Sequence, residues 1–304
     1  MATIASSASG KVRVGRREVS VSNPQKVLYP EAGFTKAEVV AYYLAVAPVL
    51  LPHLKGRPLT LKRYPNGVGA AFFYEKMCPA HRLDWVATTA VPTTSRTIDF
   101  CLVQDAATLV WVANLASLEL HTLLAKAGDI ERPTFMVFDH DPGEGVGMLE
   151  CCRVALRFRE MLQQLGLKSF AKTSGGKGLH LYVPLNTAVT FDQTKNFSRA
   201  AAQILEKQDP KGVTTNMSKR LRGGKVFVDW SQNDRHKTTV CAYSLRARER
   251  PTVSTPVAWA EVERAVRRGD AAALSFEAGD VVKRVKKMGD LFEPVLKMKQ
   301  RLPG

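Results

Sequence analysis

Two aspartates spaced two apart close an apolar run, Phe135-Met-Val-Phe-Asp139-His-Asp141. Phe135 to Phe138 reads as a buried strand, and alternate side chains of a strand share a face, so Asp139 and Asp141 point the same way. Two ionised carboxylates side by side repel, and no Lys or Arg stands between Asp139 and Glu150 to relieve them. A divalent cation does relieve them, and hard carboxylate oxygens suit magnesium or manganese, with substrate phosphates completing the shell. The run Lys225-Val-Phe-Val-Asp229 has the same form and supplies Asp229 as a third ligand. Asp141-Pro142-Gly143 is also ordinary turn chemistry. That accounts for Asp141 alone, but not for the pair together with Asp229.

A second group suits phosphate. Ser174-Gly-Gly-Lys177-Gly178 lies between two apolar runs, so it is a hairpin turn and lacks the GxxxxGK[ST] spacing of a Walker loop. Backbone N–H groups in such a turn can cradle an anion, with Ser174 and Lys177 as further donors. A glycine-rich hairpin with an exposed lysine has the same sequence. Farther on, Arg222, Lys237 and Arg246 stand close to strand ends among many other basic residues, a surround that polyphosphate requires. Phe72-Phe73-Tyr74 places three aromatics in a row, more than one strand face can bury, so at least one ring is expected in solvent, where it can stack on a base.

The elements that would position these groups follow from periodicity. Val12 to Val21 alternates around Gly15 as a hairpin. Thr35-Lys-Ala-Glu38 is a capping box opening a helix to about Leu51, which Pro48 should kink or end. A strand at 57–64 carries Lys62 and Arg63, and Asp105 caps a helix expected to run to about Lys126 with His121 near its end. From residue 133 the order is strand 134–139, helix 148–165, strand 168–174, strand 179–184, helix 190–207 and strand 225–230. This β-α-β-β-α-β order is RNA-recognition-like. It makes the first strand central between the third and fourth, both antiparallel to it, so the three acids and the glycine turn converge. After Thr255 the chain is expected to be helical and basic.

The 304 residues carry 44 Lys and Arg against 28 Asp and Glu, a formal charge of +16, and a basic protein of this kind most often meets nucleic acid, although charge alone would also fit a merely cationic surface. No apolar run of membrane length is evident, and Met1–Gly10 lacks the stretch of a signal peptide, so a cytoplasmic protein with a short disordered tail is expected. Five cysteines without a CxxC pair suit reduced thiols. Cys78 with His81 is too little for structural zinc.

FDHDPGEG, SGGKGLHLY and VFVDWSQN together resemble the three motifs of the archaeo-eukaryotic primase-polymerases, most closely the polymerase domain of bacterial ligase D and its stand-alone relatives. The likeness extends over nearly the whole chain, through NPQKVLYP, GRPLTLKRYPNG, AAFFYEK and KTTVCAYSLRAR. It implies an α+β primase-polymerase fold, with an N-terminal α/β module (about 11–130) packed on the RNA-recognition-like core (about 131–250) and C-terminal helices (about 251–304), all in one catalytic domain. It implies two divalent metal ions, manganese or magnesium, on Asp139, Asp141 and Asp229. The incoming nucleoside triphosphate would lie on Ser174, Lys177, His180, Arg222, Lys237 and Arg246, with Lys62 and His121 near its sugar. Lys26 and Lys36 would hold the 5′-phosphate of gapped or broken DNA, and Arg63, Phe72 and Phe73 would meet the DNA. His140 departs from the family's apolar residue at that position but should point away from the metals. No KxDG ligase motif is present, so the expected partners are a separate ligase and an end-binding protein, around a monomeric polymerase on the nucleoid.

The reaction this implies is attack of a primer 3′-hydroxyl on the α-phosphate of a nucleoside triphosphate, with ribonucleotides favoured, in end joining or gap repair. Synthesis of short primers is the nearest variant. A metal-dependent nuclease would use the same acids without needing a triphosphate cradle, and a non-catalytic nucleic-acid-binding module would leave the acids unexplained.

Overall fold

The computed structural model describes residues 9–303, and the chain divides into two compact units. One comprises the stretch up to Leu123, Val240–Val253 and Glu277–Gly289; the other comprises Leu124–Thr239, Ser254–Phe276 and the chain from Asp290. The division is therefore not sequential, because the chain after Thr239 contributes to both units. The expected tail lies outside the described residues up to position 8, whereas Ser9 and Gly10 already pair in a strand.

The first unit opens with the hairpin β1 (Ser9–Val14) and β2 (Arg17–Ser22), turning at Gly15 with φ 59°. Next come a short pair, β3 (Val27–Tyr29) and β4 (Phe34–Thr35), and α1 (Lys36–Leu54). Thr35 accepts from the Glu38 N–H while the Glu38 carboxylate accepts from the Thr35 N–H, so the capping box forms. The helix continues through Pro48 and Pro52 instead of ending at the first proline. A proline costs an isolated helix about 3 kcal/mol, but here Val46, Ala47, Val49, Leu50 and Leu54 are buried around it, at ~1.5–3 kcal/mol for each large apolar side chain. By length and composition α1 could also cross a bilayer, contrary to the sequence expectation, but 56% of its apolar window is buried inside the protein. Tyr42 and Tyr43 donate to the carbonyls of Tyr243 and Leu118.

The sheet of this unit uses β5 (Leu59–Arg63), β6 (Phe73–Glu75), β7 (Thr88–Pro92), β8 (Thr97–Cys101) and, after α2 (Ala106–Asn114), β9 (Ser117–Leu123). Its order runs β9-β5-β8-β7, with β6 also on β5. Asp105 caps α2 as expected, accepting from the Thr108 N–H. The helix nevertheless stops at Asn114, Ala116 adopts a left-handed φ of 56°, and Ser117–Leu123 is a strand, which corrects the helix expected to Lys126. The period-2 pattern Leu118, Leu120 against Glu119, His121 outweighs helical spacing there. Cys78 and Cys101 form a disulfide, correcting the reduced-thiol expectation, while Cys151, Cys152 and Cys241 are free and buried.

In the second unit β10 (Ala125–Lys126) and β11 (Asp129–Pro133) precede β12 (Phe135–Pro142), α3 (Met148–Gln164), β13 (Phe170–Thr173), β14 (Leu179–Pro184), α4 (Phe191–Gln208), β15 (Val213–Thr214) and β16 (Val226–Asp229). After β17 (Thr238–Val240) come β18 (Pro256–Val257) and α5 (Trp259–Arg268). Of the last helices, α6 (Ala278–Met288) belongs to the first unit and α7 (Glu293–Lys297) to the second. The sheet order is β15-β16-β12-β14-β13-β18. As expected, β12 is central and antiparallel to both β14 and β16, and the α+β class with an RNA-recognition-like core holds.

Alternation decides what each face of this sheet carries. Met136, Phe138, Leu179, Leu181, Val226 and Val228 enter one apolar core with residues of α3 and α4, and the Phe138 and Phe158 rings lie 4.4 Å apart. His140 follows the same face, fully buried against Phe158, and so points away from the acids as expected. Asp139, Asp141, His180, Lys172 and Asp229 fall on the opposite face by the same count.

Candidate active site

The register of the second sheet places four charged or polar residues in one transverse row. Lys172 on β13 is opposite His180 on β14, His180 is opposite Asp139 on β12, and Asp139 is opposite Asp229 on β16. Directly opposed residues of antiparallel strands have Cα atoms about 4.5–5.5 Å apart, so Asp229, ninety positions along the chain, becomes a neighbour of Asp139. Asp141 lies two residues farther on the same face, opposite Phe227. Burial and the neighbouring charges of Asp139 and Asp229 raise the Asp141 carboxyl to about 6, against the opposing pull of His180 and Arg222. Burial is the larger cause, and the two neighbouring carboxylates add to it.

Asp139 and Asp229 have local partners. His180 Nε2 lies 3.1 Å from Asp139 Oδ1. Asp229 Oδ1 accepts from the Ser231 N–H and hydroxyl at 2.9 and 2.5 Å, and the Lys237 ammonium donates to that same Ser231 hydroxyl. Among the described residues no three His, Cys, Asp or Glu side chains close on a common point in ligand geometry. The donor set fits a divalent cation by chemistry and register: three hard carboxylates on adjacent strands, mutually repelling.

The glycine turn lies alongside. Ser174 N–H donates to the Gly178 carbonyl, and the Ser174 hydroxyl accepts from the N–H groups of Gly176 and Gly178, both at 3.1 Å. Two of the amides expected to face an anion are thus taken by Ser174, while Lys177 is exposed at the tip. Gly178 is required, since a Cβ there would meet the His140 carbonyl at 2.3 Å. Arg222 donates to the Met217 carbonyl and lies 3.6 Å over the Phe227 ring, opposite Asp141. Asn233, fully buried, exchanges hydrogen bonds with both the N–H and the carbonyl of Val137, at 2.8 and 2.7 Å, continuing the ladder where β16 ends.

The remaining predicted nucleotide residues, Lys62, His121 and Arg246, belong to the first unit and gather there on Glu119, which is 2% exposed. Lys62 Nζ, His121 Nε2 and Arg246 Nε lie 3.3, 2.9 and 3.3 Å from its carboxylate. Burial alone would raise the Glu119 carboxyl, but the His121 hydrogen bond and the charges of Arg246 and Lys62 hold it well below the usual range. Burial lowers Lys62 and His121, with Glu119 opposing in both cases. Above Lys62 is an aromatic platform: its ammonium stands 4.3 Å from the Phe72 ring, which stacks on Tyr64 at 5.1 Å. Phe72, Phe73 and Tyr74 are 48, 43 and 57% exposed, so all three rings reach solvent where at least one was expected.

A pocket of about 430 Å³ in the same unit is lined by Lys26, Lys36, Arg63, His81, Asn23 and Asn114, among others. Lys36 is nearly buried, and burial together with the charges of Lys26 and Arg63 lowers its ammonium. Cations crowded in this way suit a phosphate. Arg63 is anchored by Glu75 and the Leu115 carbonyl and lies over Phe73, while Phe72 and Phe73 sit outside this pocket. Sequence reading missed Glu119, Lys172, Asn233 and His81. The alternation of Leu118-Glu119-Leu120-His121 was the available signal for Glu119, whereas nothing local marks Asn233.

The model of the LigD primase-polymerase domain matches residues 35–292 of this chain. The multifunctional non-homologous end joining protein LigD of Mycolicibacterium smegmatis is 43% identical over 279 residues, covering 91% of this chain and 36% of that protein. The bifunctional non-homologous end joining protein LigD of Bacillus subtilis is 31% identical over 87% of this chain and 42% of its own length. The chain thus spans well under half of these curated relatives. The polymerase domain from Mycobacterium tuberculosis Ligase D, solved in complex with DNA, superposes with a TM-score of 0.85 at 41% identity, over 93% of this chain and 99% of that one.

Proposed function

The chain belongs to the LigD primase-polymerase family, and from that membership we propose that it is a template-dependent nucleotidyltransferase that fills gaps and broken DNA ends in bacterial repair. The observation that carries the reading is the direct pairing of Asp139 with Asp229, beside an Asp141 whose carboxyl is raised by burial and by those two acids. Asp139, Asp141 and Asp229 would hold two divalent cations, manganese or magnesium, which when bound lower the pKa of the primer 3′-hydroxyl and neutralise the triphosphate.

The chain's own residues then position and screen charge. Lys177 and Arg222 in the second unit, and Lys62 and Arg246 in the first, carry cations suited to phosphate oxygens. Lys237 steadies Ser231 behind Asp229. The pocket with Lys26 and Lys36 is read as the seat of a DNA 5′-phosphate, and the rings of Phe72 and Phe73 as a stacking surface for bases. Preference for manganese and for ribonucleotides, action on the nucleoid as a monomer, and cooperation with a separate ligase and an end-binding protein are parts of the same proposal, supported by family likeness.

The test is incubation with a gapped, 5′-phosphorylated duplex, manganese and labelled nucleotides. Extension by the wild type and its loss, by about a thousandfold or more, in Asp139→Ala and Asp229→Ala is expected. Strand degradation would favour a nuclease, synthesis without a primer a primase, and retention without chemistry a binding module.

A further inference from the structure

Lys172 is a lysine with no exposed surface, set in the sheet of the second unit rather than at its edge. Its Nζ lies 2.6 Å from the Ser254 hydroxyl and 3.1 Å from His180 Nδ1, and 5.4 Å from the centre of the Tyr182 ring. The Ser254 hydroxyl in turn donates to the Thr173 carbonyl at 3.0 Å. A buried ammonium is costly, and neither the triphosphate cradle nor the acid trio assigns it a task.

We propose that Lys172 is a positioning residue which fixes the proton of His180 on Nε2 and thereby sets the orientation of Asp139. An ammonium has three donors and no lone pair, so whatever faces it must accept. His180 Nδ1 faces it and is therefore the bare nitrogen of the ring. A neutral imidazole carries one proton, which must then sit on Nε2, 3.1 Å from Asp139 Oδ1. A proton there attracts the carboxylate oxygen and leaves the rest of the carboxylate to face Asp141 and Asp229. The other tautomer would turn a lone pair toward that oxygen and drive Asp139 away. The register makes this a row, Lys172, His180, Asp139 and Asp229, in which Lys172 sets His180 and His180 sets Asp139. Outer partners that orient a ligand typically change metal affinity or activity about 10–100-fold when removed. The kinetic part of the inference rests on the proposed polymerase function, but the tautomer does not.

The tautomer is read directly by long-range ¹⁵N–¹H correlation spectra of the imidazole rings, taken on the full chain without metal, nucleotide or DNA at mildly alkaline pH, with His180 identified by its loss in His180→Gln. The expected wild-type pattern has the proton on Nε2; a proton on Nδ1 overturns the proposal. In Lys172→Met both tautomers should appear, and nucleotide incorporation should fall about tenfold or more, mainly in kcat. A folded Lys172→Met that keeps the Nε2–H pattern overturns it as well. If that variant does not fold, Ser254→Ala, which removes the ammonium's other anchor, should admit some of the Nδ1–H form, and an unchanged spectrum counts against the proposal. A chain that extends no primer in any form would sink the polymerase reading and leave the spectrum to decide the tautomer.

Discussion

Asp141 carries the cost of burying a carboxylate and of setting it beside two others. Its carboxyl titrates near 6 in the folded chain, against about 3.9 when unfolded. Because the folded value is the higher one, the protonated form stabilises the fold: the contribution is complete below about pH 4 and is lost as pH rises through about 6. Asp141→Asn should therefore stabilise the metal-free protein at about pH 7.5, by ~2–3 kcal/mol at most, with the gain in Tm fading as pH falls toward 4. Thermal unfolding of the two proteins across that range checks it, and manganese should raise the Tm of the wild type more than that of the variant. Glu119 is the opposite case, a buried anion held by two cations, Lys62 and Arg246, and by the His121 ring. Glu119→Ala leaves Lys62, His121 and Arg246 facing one another and should cost ~3–5 kcal/mol, read as a lowered urea midpoint.

At the scale of elements, the central strand β12 is held by different means on its two sides. β14 pairs with it from Phe135 to His140, but β16 reaches only from Asp139 onward. Asn233 substitutes for the missing strand at Val137. Asn233→Ala would leave two buried backbone groups unpaired at ~1–3 kcal/mol each, and faster amide exchange at Val137 is the expected readout. A slip of one residue in the β12–β16 register would turn Asp229 into the apolar core, so this local anchoring bears directly on the site. The second unit was legible because its strands and helices have pure periods. Ser117–Leu123 was misread because Leu109, Val112, Ala116 and Leu120 also fit a helical stripe, and only the left-handed turn at Ala116 breaks it.

For the whole molecule, a formal charge of +16 predicts DNA retention that weakens steeply with salt, log K falling linearly with log salt at a slope of about −0.9 per phosphate neutralised. Removing both Lys26 and Lys36 by alanine should make that slope shallower by about 1–2 and abolish any preference for a 5′-phosphorylated end. Titrations at several salt concentrations, with and without the 5′-phosphate, test both effects. Charge pointed toward nucleic acid without excluding a merely cationic surface, and it did not locate the pocket. Lys26, Lys36, Arg63 and His81 come from separate stretches and meet only in the folded unit.

By itself the sequence determined the strand and helix order of residues 135–229, the common face of Asp139 and Asp141, and a family whose motifs are local strings, because periodicity and spacing are properties of neighbouring residues. The tertiary structure decided that Asp229 stands opposite Asp139, that Glu119 gathers Lys62, His121 and Arg246, that Cys78 meets Cys101, and that Lys172 backs His180. Each of these depends on which strands or loops come side by side, and that is settled by the burial of distant apolar faces against one another rather than by any short stretch of chain.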